Sequence, residues 1–94
     1  MNNKILIKLM VPEFEISFDL FIPINEIVWK IKKMIAKSIS DITSVDFNTN
    51  DYILIDKNSS RIYKNNDIII NTDIRNTAEL LFVSKNNWIT YLCK

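Results

Sequence analysis

Ile24 to Ser40, INEIVWKIKKMIAKSIS, is the one stretch of the 94-residue chain with a clear helical period. At about 100° per residue, Ile24, Ile27, Val28, Ile31, Met34, Ile35 and Ile39 fall on a single stripe, with Ser38 inside it. Asn25, Glu26, Lys30, Lys32, Lys33, Lys37 and Ser40 fall on the opposite side, together with Ala36 and the indole of Trp29. Pro23 stands where the first turn of a helix tolerates proline, and Asn25 is an alternative cap. Glu26 precedes the four lysines, the charge order that a helix dipole favours. It also makes an i, i+4 pair with Lys30 in the better orientation. One apolar stripe on one helix needs one sheet face to cover.

Outward from the helix, the flanking sequence supplies the strands for that sheet. On the N-terminal side, Phe14, Ile16, Phe18, Leu20 and Ile22 alternate with Glu15, Ser17, Asp19 and Phe21, a period of two that predicts a strand over Phe14–Ile22. Before it, Lys4–Val11 presents Ile5, Ile7 and Leu9 on one face and Lys4, Leu6, Lys8 and Met10 on the other. Pro12 marks a tight turn between them, which makes an antiparallel hairpin. Lys4 and Lys8 then share the outer face with Asp19 and Glu15, and cross-strand pairs of this kind contribute about 0.2–1 kcal/mol each.

Beyond the helix, Asp41–Asp51 is polar and turn-prone, with Ile42, Val45 and Phe47 expected beneath the helix end. Tyr52–Ile55 predicts a third strand, broken by Lys57-Asn58-Ser59-Ser60. Arg61–Tyr63 is a short fourth strand and Asn65-Asn66-Asp67 a turn, while Ile68–Ile70 is too short to assign by period. Glu79–Ser84 closes the sheet, with Leu80 and Phe82 on one face and Leu81 and Val83 on the other. Residues 1–85 thus form one domain, followed by a tail over 86–94 that carries Trp88, Ile89, Tyr91, Leu92 and Cys93.

A chain of this size buries about 60–65% of its unfolded surface, enough for one helix on one sheet. A net charge of +1 argues against a protein devoted to nucleic acid or to anionic membranes. Isoleucine, asparagine and lysine supply 40 of the 94 residues, and glycine is absent; that bias discounts lysine-rich patches as functional signals. The single Cys93 allows no intramolecular disulfide. With no signal-peptide pattern and no apolar run of membrane-spanning length, the expectation is a cytoplasmic protein that does not insert into a membrane.

Histidine is absent, which removes histidine-based triads and histidine metal sites. Cys93 has no recognisable base, so an inert thiol is the expectation. Asp41, Asp46 and Asp51 are too sparse for a calcium loop. No glycine-rich phosphate cradle exists without glycine. The sequence therefore predicts no enzyme, no cofactor and no metal, and leaves binding to a protein partner.

A hairpin, one long helix and three further short strands resembles the β-grasp order of ubiquitin-like domains. The resemblance rests on Tyr52-Ile-Leu-Ile-Asp56, on Arg61-Ile-Tyr63, and on the run from Ile69 to Val83, in which Ile69, Ile74, Leu80 and Phe82 occupy the apolar positions of such domains. It implies an α+β fold, a mixed four- to five-stranded sheet with one main helix across one face. Ile22-Pro23-x-x-Glu26-Ile27 at the helix entry is similar to the YukD/EsaB family of type VII (ESX-like) secretion loci of Gram-positive bacteria. That likeness implies a cytosolic accessory or regulatory component of the secretion system. Two departures stand out. Asn76-Thr77 occupies a turn that commonly carries glycine, where asparagine tolerates a left-handed conformation. The sequence also ends Tyr91-Leu-Cys-Lys94 with no Gly-Gly, which disfavours a ubiquitin-like carrier or modifier.

Three surfaces are candidates for partner binding. Strand parity exposes Leu6, Ile53, Ile55, Leu81 and Val83 on the outer sheet face, through which ubiquitin-like domains commonly bind partners; the tail or a second copy covering that face is the alternative. Trp29 is the second, either an interface anchor or half of a hydrophobic staple with Ile24 if Asn25 is the cap. The third is the tail around Trp88, which packs back on the domain or serves a dimer or partner contact.

Overall fold

The computed structural model describes residues 3–46 and 48–87. Five strands and one helix follow one another in the order β1 (Lys4–Val11), β2 (Ile16–Pro23), α1 (Val28–Thr43), β3 (Tyr52–Asp56), β4 (Ile62–Tyr63) and β5 (Ala78–Ser84). The sheet order is β2-β1-β5-β3-β4. Its two central strands, β1 and β5, run parallel, and every other pair is antiparallel. Period-two alternation puts Ile7, Leu9, Val11, Leu54, Leu80 and Phe82 on one face, all buried. Against them α1 packs Val28, Ile31, Ile35 and Ile39, each with no exposed surface. Tyr52 stacks on Phe82 at 5.0 Å between ring centroids.

The helix is shifted along the chain from its expected span. Pro23 closes β2 opposite Lys4 instead of opening the helix, and the residue capping α1 is Ile27, which has no side chain able to cap. The caps come from a distant loop. Val28 N–H donates to the Asp67 carbonyl (2.8 Å) and Trp29 N–H to that of Asn65 (3.2 Å), satisfying two of the orphan donors of the first turn. The same loop returns two bonds, Ile69 N–H to the Glu26 carbonyl (3.0 Å) and Ile70 N–H to that of Ile24 (2.7 Å).

At the other end α1 runs on to Thr43, whose Oγ1 donates to the Ile39 carbonyl (2.8 Å), and stops at Ser44 in a left-handed conformation. Ile42 and Val45 are exposed there and do not tuck beneath the helix; Phe47 lies outside the described residues. The apolar stripe also has two exceptions. Met34 is exposed, whereas Lys32, expected on the polar side, is 4% exposed.

The β1–β2 connection is a one-turn 3-10 segment, Pro12–Phe14, followed by Glu15 at φ 55°. Phe14 and Glu15 are thus turn residues, β2 starts two residues later than its alternation suggests, and Lys8 faces Asp19 across the ladder. In a chain without glycine, left-handed positions fall to Glu15, Ser44, Ser60 and Thr77, each at a cost of roughly 1–2 kcal/mol. Before β5 the left-handed residue is Thr77 (φ 69°), not the asparagine beside it. Asn76 has another use: its Oδ1 accepts from Leu6 N–H (2.9 Å) while Thr77 N–H donates to the Leu6 carbonyl (2.7 Å). The two residues clip onto β1 where the parallel ladder begins.

Candidate functional site

Strands β3 and β5 are apolar on both faces. Leu54, Leu80 and Phe82 point to the helix, and on the opposite side the register sets Ile53 across from Val83 and Ile55 across from Leu81. The five outer-face residues expected from parity do share that face, but their exposure requires correction. Ile55 and Val83 have no exposed surface and Leu81 is 7% exposed; with half-buried Ile53 they form a second apolar cluster, separate from the core. Leu6, two strands away on β1, is half-buried opposite Phe21, which is 60% exposed. An antiparallel strand pair with one wet face alternates apolar and polar residues, and β3–β5 does not.

The other half of the outer face is charged. Lys8, Ser17, Asp19, Lys57 and Glu79 surround an open concavity of about 470 Å³ over β2, β1 and β5. Lys57 and Glu79 approach to 3.6 Å, and the Lys57 N–H donates to the Glu79 carbonyl (3.0 Å). Met10 stands at the seam, half-exposed, in register with Leu81.

Trp29 projects from the first turn of α1, 38% exposed. The Nζ atoms of Lys30 and Lys33 lie 5.6 and 4.9 Å from its ring centroid, cation–π contacts worth about 0.5–1 kcal/mol each at an exposed site. The staple with Ile24 is ruled out by the position of the cap: Ile27, not Asn25, precedes the first turn, and Ile24 packs on the core instead. Trp88, the tail candidate, and Cys93, expected to be an inert thiol, lie outside the described residues.

Two polar arrangements were not visible in the sequence. Lys32 Nζ donates to Asn65 Oδ1 at 2.9 Å, joining the helix to the loop that caps it. Burial, then the positive charge of Lys85, lower its pKa from the ordinary lysine value. At the far edge, Tyr63 Oη donates to Asp73 Oδ1 (2.6 Å), and Arg61 Nη1 lies 3.3 Å from the same oxygen with its guanidinium over the Tyr63 ring. Burial and that hydrogen bond push the phenol well above its usual range. The hydrogen bond from Tyr63 and the charge of Arg61 hold the Asp73 carboxyl below its own. The first arrangement fastens a loop to the helix and the second a loop to a strand. A third feature, a hollow of about 300 Å³ lined by Ile5, Ile24, Ile70, Ile74 and Arg75, opens beside the helix entry.

Of the three sparse aspartates, Asp46 accepts from Ser40 Oγ (2.6 Å), Asp51 accepts from Lys85 N–H through its carbonyl (2.8 Å), and Asp41 is exposed. Among the described residues no three acidic, cysteine or histidine side chains cluster as metal ligands, and no helix is long and apolar enough to cross a membrane.

A parallel β1–β5 pair at the centre of five strands, with one helix across a single face, has clear counterparts among solved structures. The N-terminal ubiquitin-like domain of the 4931431F19Rik protein superposes with a TM-score of 0.72 at 20% identity, over 90% of this chain and 78% of that one. The ubiquitin-like domain of Plasmodium falciparum Dsk2 gives 0.69 at 17% identity, over 87% and 99%. The fold is ubiquitin-like and β-grasp. A chain of the toluene 4-monooxygenase HD complex with the inhibitor 4-bromobenzoate matches as well in shape, with a TM-score of 0.73 at 8% identity over 87% and 99%, so the ubiquitin-like fold alone does not assign a function. No protein-family model matches the sequence, and no curated protein is similar to it.

Proposed function

We propose that this ubiquitin-like domain is a non-catalytic interaction module that docks a protein partner through its outer sheet face. The finer reading is a cytoplasmic accessory or regulatory component of a type VII secretion system. The observation that supports docking is the apolar content of the side of the sheet that the helix does not cover: the Ile53, Ile55, Leu81 and Val83 cluster, of which Ile53 is the most open, with half-buried Leu6 and exposed Phe21 and Met10 beyond it. A solvated sheet face has no use for four adjacent apolar side chains, whereas a face that takes a protein layer does. Leu6 extends the contact across the sheet, and Trp29, on the helix that packs on the other face, is a separate candidate anchor. The secretion role is supported by the Ile22-Pro23-x-x-Glu26-Ile27 entry to the helix.

Affinity capture of the full chain from its native cell tests both levels. The expected result is recovery of a cytosolic part of the secretion apparatus with the natural sequence and its loss with Ile53→Lys. Capture without any secretion component removes the finer reading, and capture indifferent to Ile53→Lys removes the sheet face. A homodimer through the same face is the second outcome to score, by light scattering across a concentration series. A carrier role predicts adenylation of the C-terminus by an activating enzyme and ATP, and a non-catalytic docking module predicts none.

A further inference from the structure

On the helix side of the sheet, one concavity joins apolar walls to a fixed positive charge. It is the hollow of about 300 Å³ beside the helix entry, lined by Ile5, Ile24, Ile70, Ile74 and Arg75. Ile74 is buried and Ile5 and Ile24 pack on the core, whereas Ile70 is 56% exposed. The walls are tied together by their backbones. Ile70 N–H donates to the Ile24 carbonyl (2.7 Å), Ile24 N–H to that of Asn3 (2.8 Å), and Ile74 N–H to Thr72 Oγ1 (3.1 Å). Arg75 is held as firmly, its Nη1 donating to the carbonyls of Thr72 (2.6 Å) and Ile74 (2.9 Å). Those bonds occupy one guanidinium nitrogen. Among the described residues Nε and Nη2 have no hydrogen-bond partner, and no carboxylate forms an ion pair with Arg75. Asp73, two residues back, is taken by Tyr63 and Arg61.

We propose that this hollow is a second docking site, which takes the free C-terminus of a partner chain ending in an aliphatic residue. The aliphatic side chain enters between the isoleucines, and the terminal carboxylate accepts from Nε and Nη2 of Arg75. Charge complementarity names the carboxylate, because the two nitrogens left over form one edge of a planar fork that matches two carboxylate oxygens. The fork is pinned before the partner arrives, so little freedom is lost on binding. Volume names the rest of the ligand: about 300 Å³ is the lower end of the range for ligand sites, and it suits a single side chain. A chain end fits better than an acidic residue within a chain. Successive side chains of an extended peptide point to opposite faces, so an acid beside the aliphatic residue turns away from Arg75. The last residue of a chain carries both groups on one Cα. This site is independent of docking at the outer face, since Ile5 and Ile24 pack on the core cluster and Ile53 on the cluster across the sheet.

Methyl NMR titrations of the full chain with synthetic peptides test the site. The probes are an alanine-serine peptide ending in isoleucine with a free carboxylate, the same peptide with a terminal amide, and an amidated peptide carrying Ile-Ser-Glu. The free acid is expected to shift the signals of Ile5, Ile24, Ile70 and Ile74 and to leave those of Ile53 and Ile55 in place. The amide is expected to bind at least about tenfold more weakly, the usual scale for losing a charge-assisted hydrogen bond. Ile70→Asp sets a negative charge at an exposed position of the lining and is expected to weaken the free acid by a similar factor, with unchanged Ile53 and Ile55 signals showing that the variant is folded. Arg75→Lys keeps the charge without the fork and is expected to lose several-fold. Absence of shifts at the hollow overturns the proposal, as does equal affinity for acid and amide. Binding of the amidated Ile-Ser-Glu peptide as tight as that of the free acid overturns the choice of a chain end, and shifts confined to Ile53 and Ile55 return the contact to the outer face.

Discussion

The two faces of the sheet are both apolar across β3 and β5, but they are buried by different means. The inner face meets α1, an element joined to β2 by a short connection and fixed at its start by backbone bonds to residues 65–67. The outer cluster is smaller, drawn from two strands, and borders an open, charged concavity over β1 and β2. The difference teaches that apolar alternation marks a side chain for burial without naming what buries it. The inner-face residues are legible from the sequence because a helix stripe is there to receive them. For the outer-face residues parity predicts exposure, because no matching stripe is visible.

Neighbouring residues on opposite faces measure that difference most directly. Phe82→Ala empties a fully buried site stacked on Tyr52 and is expected to cost about 3–5 kcal/mol. Val83→Ala, one position on, is expected to cost about 1–2 kcal/mol, the transfer of two methyl groups, because its cluster is small and drawn from two strands. Urea midpoints read both, and equal costs would make the outer cluster a second core.

Lys32 is the polar intruder on the inner side. Replacing it with methionine is expected to be neutral or stabilising by about 1 kcal/mol, since a buried cation with a single neutral partner gains little from its charge. The pH signature is sharper. Its folded-state pKa is lowered from 10.5, so above that lowered value the unfolded chain binds more protons than the native one. Stability therefore rises with pH across the window up to 10.5. Chemical denaturation along an alkaline series should show this rise in the natural protein and a flatter curve in Lys32→Met.

Thr77 sets the turn that clips β5 onto β1, and a slip of one residue there would exchange the two faces of β5. Thr77→Gly relieves a β-branched residue at φ 69° and is expected to raise stability by about 0.5–1 kcal/mol, less than the full strain because glycine costs entropy. A thermal midpoint that falls would show that the threonine side chain holds the register.

The smallest effect belongs to the clasp at the β4 edge. Asp73→Asn is expected to cost under about 1 kcal/mol at neutral pH, because Arg61 and Asp73 are both half-exposed and their attraction is screened. Asp73 has its pKa held below 3.8, so its contribution is present above that value and lost as pH falls through the lower folded one. Acid unfolding of the variant should begin from a flatter curve; an unchanged acid limb would remove Asp73 from the clasp.

Much of the fold was legible in particular residues. Ile7, Leu9, Leu54, Leu80 and Phe82 declared the inner face through their spacing, and Val28, Ile31, Ile35 and Ile39 declared the helix that covers it. Lys4–Val11 was legible to its ends, because alternation begins and stops there. The helix start was misplaced by four residues because its caps are the carbonyls of Asn65 and Asp67, and backbone acceptors carry no sequence signature. Pro23 was compatible with both a strand end and a first turn, and ladder pairing with Lys4 decided between them. The burial of Lys32 is not legible because period alone ranks it with its charged neighbours, while its hydrogen-bond partner is Asn65, on a loop 33 residues away.

By itself the sequence determined the elements, their order and which side chains share a face, since these follow from local periods of 2 and 3.6 residues. It also excluded histidine and glycine chemistry outright. Tertiary structure alone decided where the helix begins, which lysine is buried, and that Ile55, Leu81 and Val83 are covered. Burial is a property of what lies above a side chain, and the period of a strand says which face a side chain joins but not what lies above it.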